Sequence, residues 1–156
     1  MSVGLSEIAR RTDDAVTRAR AELVHAVREA ASGGMTQAQI ATAIGRSQPE
    51  VSRLLHFHGT SPLARRLRKH VYEIRKLVAE AGGNNLRVFG SVATGRDGGN
   101  SDIDLLFTMT TPLSLMQLGA LEDRISQLLG AEVDLVPEGS LRPEFRDRIL
   151  AEAVDL

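Results

Sequence analysis

Residues 90–104 read Gly90-Ser91-Val92-Ala93-Thr94-Gly95-Arg96-Asp97-Gly98-Gly99-Asn100-Ser101-Asp102-Ile103-Asp104. A Gly-Ser pair is followed, after ten intervening residues, by Asp-x-Asp. The second aspartate lies in the run Ile103-Asp104-Leu105-Leu106-Phe107, which reads as a strand. Alternation along a strand sends Asp102 and Asp104 to one face, about 7 Å apart. Two hard anionic ligands on a rigid face can hold one or two Mg²⁺ ions. Upstream, Leu86-Arg87-Val88-Phe89 reads as another strand that Gly90-Ser91 ends. Glycine lets the backbone approach a ligand, and the serine hydroxyl with nearby N–H groups can bond phosphate oxygens. A lone Gly-Ser is a common turn and a lone Asp-x-Asp is often a solvated edge. Their joint occurrence at this spacing, between two apolar runs, points to metal-assisted chemistry on a nucleoside triphosphate.

A third carboxylate has a candidate in Asp134, within Ala131-Glu132-Val133-Asp134-Leu135-Val136-Pro137, where apolar neighbours fit a strand entering a sheet. Glu132 and Glu138 are next in line. With these residues the chain resembles the DNA polymerase β-like nucleotidyltransferase superfamily, which uses GS-x10-DxD and a later third acid. Residues 61–156 resemble its minimal nucleotidyltransferase (MNT) version. The resemblance implies Asp102, Asp104 and Asp134 as catalytic and metal-binding residues. It implies Gly90 and Ser91 as nucleotide-binding residues, with Ser101 and the loop arginine Arg96 beside them, and Mg²⁺ and ATP as cofactor and substrate. Small MNT proteins often act as antitoxins that move AMP from ATP to a partner toxin, commonly a HEPN-domain ribonuclease.

Composition agrees with an ordinary globular chain. The 156 residues are 42% hydrophobic and 25% charged, and suit one medium domain or two small ones. No apolar run approaches the roughly 18 residues needed to span a bilayer, and no signal-peptide layout opens the chain. The sequence has no cysteine, which excludes disulfides and thiolate metal sites and makes a cytoplasmic location the default. One Tyr and four Phe argue against a base-stacking platform. Charge is unevenly spread: residues 1–80 carry net +5 and residues 81–156 net −6. A basic front joined to an acidic back suggests two modules with different partners. The acidic module must still bind a polyanion, a conflict that bound Mg²⁺ would resolve.

The basic module holds a second motif. Thr36 reads as the N-cap of a short helix that Gly45 stops. Ser47-Gln48-Pro49-Glu50 starts another, with Ser47 and Glu50 as a capping box and Pro49 in the first turn. Ile40, Ile44, Val51 and Leu54 take core positions, and Ala41 sits where the helices cross. This layout and spacing resemble the helix-turn-helix family. Ser47–Leu55 is then the recognition helix, with Ser47, Gln48, Ser52 and Arg53 toward DNA bases and Arg46 on phosphate. The alternative is a helical module that packs on protein.

Elsewhere, Ile8–Ala31 reads as a long first helix or two, with Val16, Ala19, Leu23, Ala26, Val27 and Ala30 at helical spacing, stopped by Gly33-Gly34. Ser61 caps and Pro62 opens a helix expected to run to about Ala81, with Leu63, Leu67, Val71, Ile74, Leu77 and Val78 inside. Leu113–Leu129 and Pro143–Val154 read as further helices. His56-x-His58 lacks a third ligand nearby for zinc, and His25 and His70 read as helix-face residues.

The expected fold class is α+β. An all-α helix-turn-helix domain (1–60) precedes a polymerase β-like nucleotidyltransferase domain (61–156), which has a three-to-four-stranded mixed sheet with flanking helices. The catalytic module is too small for a separate acceptor domain, so the acceptor is expected to be a macromolecule, with a toxin hydroxyl as the implied target. The other expected partner is double-stranded operator DNA, repressed by the antitoxin itself. A homo-oligomer is open, and no membrane partner is expected. Two other functions stand beside this one: a DNA-binding regulator whose catalytic fold only senses nucleotide, and a small-molecule nucleotidyltransferase.

Overall fold

The computed structural model describes residues 3–156, and the chain divides into two compact units, Met1–Leu55 and His56–Leu156.

In the first unit, α1 (Val3–Ser32) is followed by α2 (Gln37–Ile44) and α3 (Gln48–Leu55). Thr36 caps α2 as expected. Its hydroxyl accepts from Gln39 N at 3.1 Å, while Gln39 Oε1 accepts from Thr36 N at 2.9 Å. Gly45 ends α2 in the left-handed region, at φ 67°. Val27 of α1, Ile40 and Ala41 of α2 and Val51 of α3 form the buried centre, with Leu23, Ala30, Ile44 and Leu54 around it. Two expectations are corrected. Glu50 takes the Ser47 hydroxyl at 3.2 Å, so the reciprocal box is incomplete. Val16, Ala19 and Ala26 are exposed, because α1 meets α2 and α3 only through its later turns.

The second unit opens with α4 (Pro62–Lys69) and α5 (Val71–Glu80). The single helix expected to Ala81 is broken at His70. Its Nδ1 donates to Arg66 O at 2.9 Å, the carbonyl that its own N–H would take in a continuous helix. That N–H goes to Leu67 O instead, so a side chain inserted into the ladder makes the break. Leu63, Leu67, Ile74 and Val78 stay fully or nearly fully buried across it.

Next come β1 (Gly83–Phe89), α6 (Gly90–Thr94), β2 (Ile103–Met109), α7 (Leu115–Leu129) and β3 (Val133–Pro137). A 3₁₀ turn (Glu138–Ser140), α8 (Pro143–Glu152) and β4 (Val154–Asp155) complete the unit. The sheet order is β3-β2-β1-β4. β1 is antiparallel to β2 and β4, and β2 is parallel to β3, as a crossover through α7 allows. The helix expected over Pro143–Val154 therefore stops at Glu152. Ala153 turns extended and is fully buried, and the chain joins the free edge of β1 as β4.

Alternation sorts the two faces of the sheet. Val88, Ile103, Leu105, Phe107, Val133 and Leu135 pack with α4, α5 and α7 into one core. Asp104, Leu106 and Thr108 of β2 point the other way, with Asp134 of β3 and Arg87 of β1 in register beside them. α8 packs against β1 and α6. On edge strand β3, the Glu122 carboxylate of α7 accepts Leu135 N at 2.9 Å and so satisfies an edge donor. Among the described residues, no helix is long and apolar enough to cross a membrane.

Candidate active site

Three strand ends bring the acids and the Gly-Ser pair together. Asp104 pairs with Phe89, the last residue of β1, and on its other side with Asp134 of β3. Asp102 lies just before β2, and its charge acts on Asp104. Gly90 follows Phe89 at φ 72°, and a Cβ there would overlap Oδ2 of Asp104. Only glycine lets β1 turn into α6 while its backbone lies against that carboxylate. Among the described residues the Ser91 hydroxyl has no protein partner, while Arg96 N bonds back to Ser91 O at 2.9 Å and closes the turn.

The electrostatics match a site built for a cation. Asp104 is half-buried, and its pKa is pushed from 3.8 up to about 6. Burial is the main cause, followed by the charges of Asp134 and Asp102, a side-chain hydrogen bond with Asp134 and the charge of Glu152. Among the described residues no three His, Cys, Asp or Glu side chains already converge on one point. Mg²⁺ does not require that, since it binds through one or two carboxylates plus substrate phosphates and water. An adjoining Asp104–Asp134 pair with Asp102 beside it supplies hard oxygen donors whose mutual repulsion a cation would relieve, so the residues fit the ion.

The structure also sorts the rival third acids. Glu138 is engaged elsewhere. Arg87 donates to its Oε2 at 2.7 Å, Thr108 Oγ1 donates to the same oxygen at 3.3 Å, and Arg146 of α8 reaches its Oε1 at 3.4 Å. The Arg87 hydrogen bond is the chief reason its pKa is lowered. Glu132 precedes β3 and sits outside the Asp104 register. Asp134 alone of the three faces Asp104. Ser101 accepts Gly98 N at 2.7 Å and shapes the loop before Asp102, while Arg96 is exposed on that loop.

Sequence reasoning missed Glu152, at the end of α8, whose charge acts on Asp104. It also missed the buried Arg87 pair. In the first unit, Arg46, Ser47, Gln48 and Arg53 are exposed on the turn and α3, Ser52 is half-buried, and Val51 faces the core. His56 and His58 are both exposed, and His56 bridges to Asp155 through its backbone.

Known proteins match the second unit. Residues 67–156 match the family described as "Nucleotidyltransferase domain". Over 84 residues the chain is 36% identical to "Putative protein adenylyltransferase MJ0435" of Methanocaldococcus jannaschii, covering 54% of this chain and 90% of that protein. It is 34% identical over 88 residues to "Protein adenylyltransferase MntA" of Thermococcus cleftensis, covering 56% of this chain and 86% of that protein. A solved structure described as a "putative minimal nucleotidyltransferase" is 37% identical and superposes with a TM-score of 0.54, covering 59% of this chain and 94% of that chain. The match spans α5 to β4 and every acid of the site, and the chain is a member of the nucleotidyltransferase domain family.

Proposed function

We propose that this nucleotidyltransferase is a Mg²⁺-dependent antitoxin that moves AMP from ATP to a hydroxyl of a partner toxin protein, and that residues 1–55 bind operator DNA. The observation that carries the catalytic reading is the Asp104–Asp134 register with Gly90 packed on Asp104. The names of the two adenylyltransferase relatives favour a protein acceptor. The toxin reading rests on the likeness to minimal nucleotidyltransferases. The turn between α2 and α3, with polar residues outward and Val51 inward, supports the DNA reading.

On this reading Gly90 and Ser91 hold the phosphates through backbone N–H and hydroxyl. Asp102 and Asp104 hold Mg²⁺, which supplies charge stabilisation to the transferring phosphoryl group when bound. Asp134, on its own strand, takes the proton of the acceptor hydroxyl as it attacks the α-phosphorus. Arg96 reaches a phosphate from the loop.

The test is transfer of label from ATP to the protein encoded beside this one. Label from α-³²P-ATP on that protein, with none from γ-³²P-ATP, is the expected result. Label from γ-³²P-ATP would make the chain a phosphotransferase, and no label from either would end the protein-acceptor reading.

A further inference from the structure

We infer that the groove between α5 and the first half of β1 is a docking site for an extended acidic peptide segment of a partner protein. The groove has a volume of about 740 Å³. Its walls are α5 with the end of α4, residues 83–86 of β1, and the end of β4 with His56 and Phe57. All of these belong to the second unit. Asp102, Asp104 and Asp134 line none of it, so the groove is separate from the carboxylate site and owes nothing to the transfer reaction.

Charge selects an acidic occupant. Arg68 and Arg75 are exposed on the helical wall, and His56 is exposed on another. Arg68 uses one N–H on Gly59 O at 3.3 Å, and Arg75 has no protein partner among the described residues. Asp155 is the one carboxylate side chain in the walls, and among the described residues it pairs with neither arginine. The two guanidiniums therefore keep free donors in the fork geometry that suits a carboxylate.

The lining selects a peptide over a nucleic acid. Phe57, Val78 and Leu86 are buried residues of the groove, with Val71 half-buried beside them. A phosphate backbone would engage the arginines and leave that apolar lining in water. An apolar side chain set between carboxylates covers it.

The sheet edge offers backbone contacts as well. β4 pairs with β1 only at Arg87 and Val88, and Leu156 N then donates to Leu86 O at 3.2 Å. Among the described residues no strand lies beside residues 83–85 on this edge, and Asn84 and Asn85 are exposed. An extended segment lying there meets main-chain donors and acceptors, as in strand addition. The register shift after Asn84, with Asn85 at φ 54°, bends this end of β1 and limits such a ladder. Specificity therefore falls to the arginines and the apolar lining.

The test uses the full-length protein and short fluorescein-labelled peptides, read by fluorescence polarisation. One peptide alternates glutamate with valine, a second lysine with valine, and a third glutamate with serine. The glutamate–valine peptide should bind at least about tenfold tighter than either of the others. Arg75→Glu, and separately Arg68→Glu, should weaken it by at least about tenfold with the melting temperature unchanged. Equal binding of the glutamate–valine and lysine–valine peptides, or full affinity in both variants, would overturn the docking site. So would equal binding of the glutamate–serine peptide, because the apolar lining would then have no part. Binding of none of the three would overturn it outright. If Arg75→Glu weakens binding of a DNA duplex and leaves that of the peptide unchanged, the face belongs to nucleic acid and the peptide assignment is wrong.

Discussion

Asp104 of β2 stands directly across the parallel ladder from Asp134 of β3, and burial together with the charge of Asp134 raises the Asp104 pKa. A carboxylate pair so placed is held together by the fold against its own repulsion. The strands that carry it are fixed by Ile103, Leu105, Val133 and Leu135 on the opposite face. The core therefore supplies the rigidity that the site uses.

Asp104→Asn should stabilise the metal-free protein. The folded pKa of about 6 exceeds the ordinary 3.8, so the native state binds more protons than the unfolded state between those values. Stability from this group is present at acid pH and is lost as pH rises toward and through about 6. Thermal unfolding near pH 7.5 should show the Asn variant melting several degrees higher, with the gap closing near pH 4. A variant that melts lower at pH 7.5 would mean that the repulsion is already relieved.

Gly90→Ala should damage the site more than the fold. The left-handed φ costs about 1 kcal/mol for a residue with a Cβ, and the added carbon would push Asp104 aside. Displacement of a reacting group by about 1 Å is worth roughly 10²-fold in rate. Single-turnover transfer should fall by about that factor while circular dichroism shows a folded protein. Near-wild-type turnover would show that the close approach is dispensable.

How much of this was legible in the sequence differs by element. The Gly-Ser turn and Asp-x-Asp are local features of two strand ends, and Asp134 carried its apolar neighbours with it. The break at His70 was not legible, because Leu63, Leu67, Ile74 and Val78 keep helical spacing straight through it. β4 is two residues defined only by pairing with β1. Nothing local to the 86–89 strand marks Arg87 as buried against Glu138, a partner 51 positions away. Val16 and Ala19 show the opposite error, since apolar periodicity cannot tell a buried stripe from an exposed one.

Glu138→Gln should destabilise the second unit by about 1–3 kcal/mol, as expected for a hydrogen bond to a charged group that leaves Arg87 half-satisfied. Its pH signature is opposite to that of Asp104. Glu138 has a lowered folded pKa, so its contribution is present above the ordinary 4.5 and is lost as pH falls through the folded value. Urea unfolding of both proteins should show a gap at neutral pH that narrows in acid. An equal gap at all pH values would assign the effect to packing.

Arg53→Ala should weaken binding of the full-length protein to its own promoter by roughly 1–3 kcal/mol if the guanidinium reads a base, with binding that falls steeply with salt. Gel shifts against promoter and random DNA measure both. Equal affinity for the two DNAs, with no effect of the substitution, would leave residues 1–55 as a protein-packing module.

The most direct test of the central claim is transfer by the double variant Asp102→Asn/Asp104→Asn, measured with α-³²P-ATP, Mg²⁺ and the partner protein. The account predicts a folded protein that transfers no label above background. Transfer at the wild-type rate by that variant would contradict it.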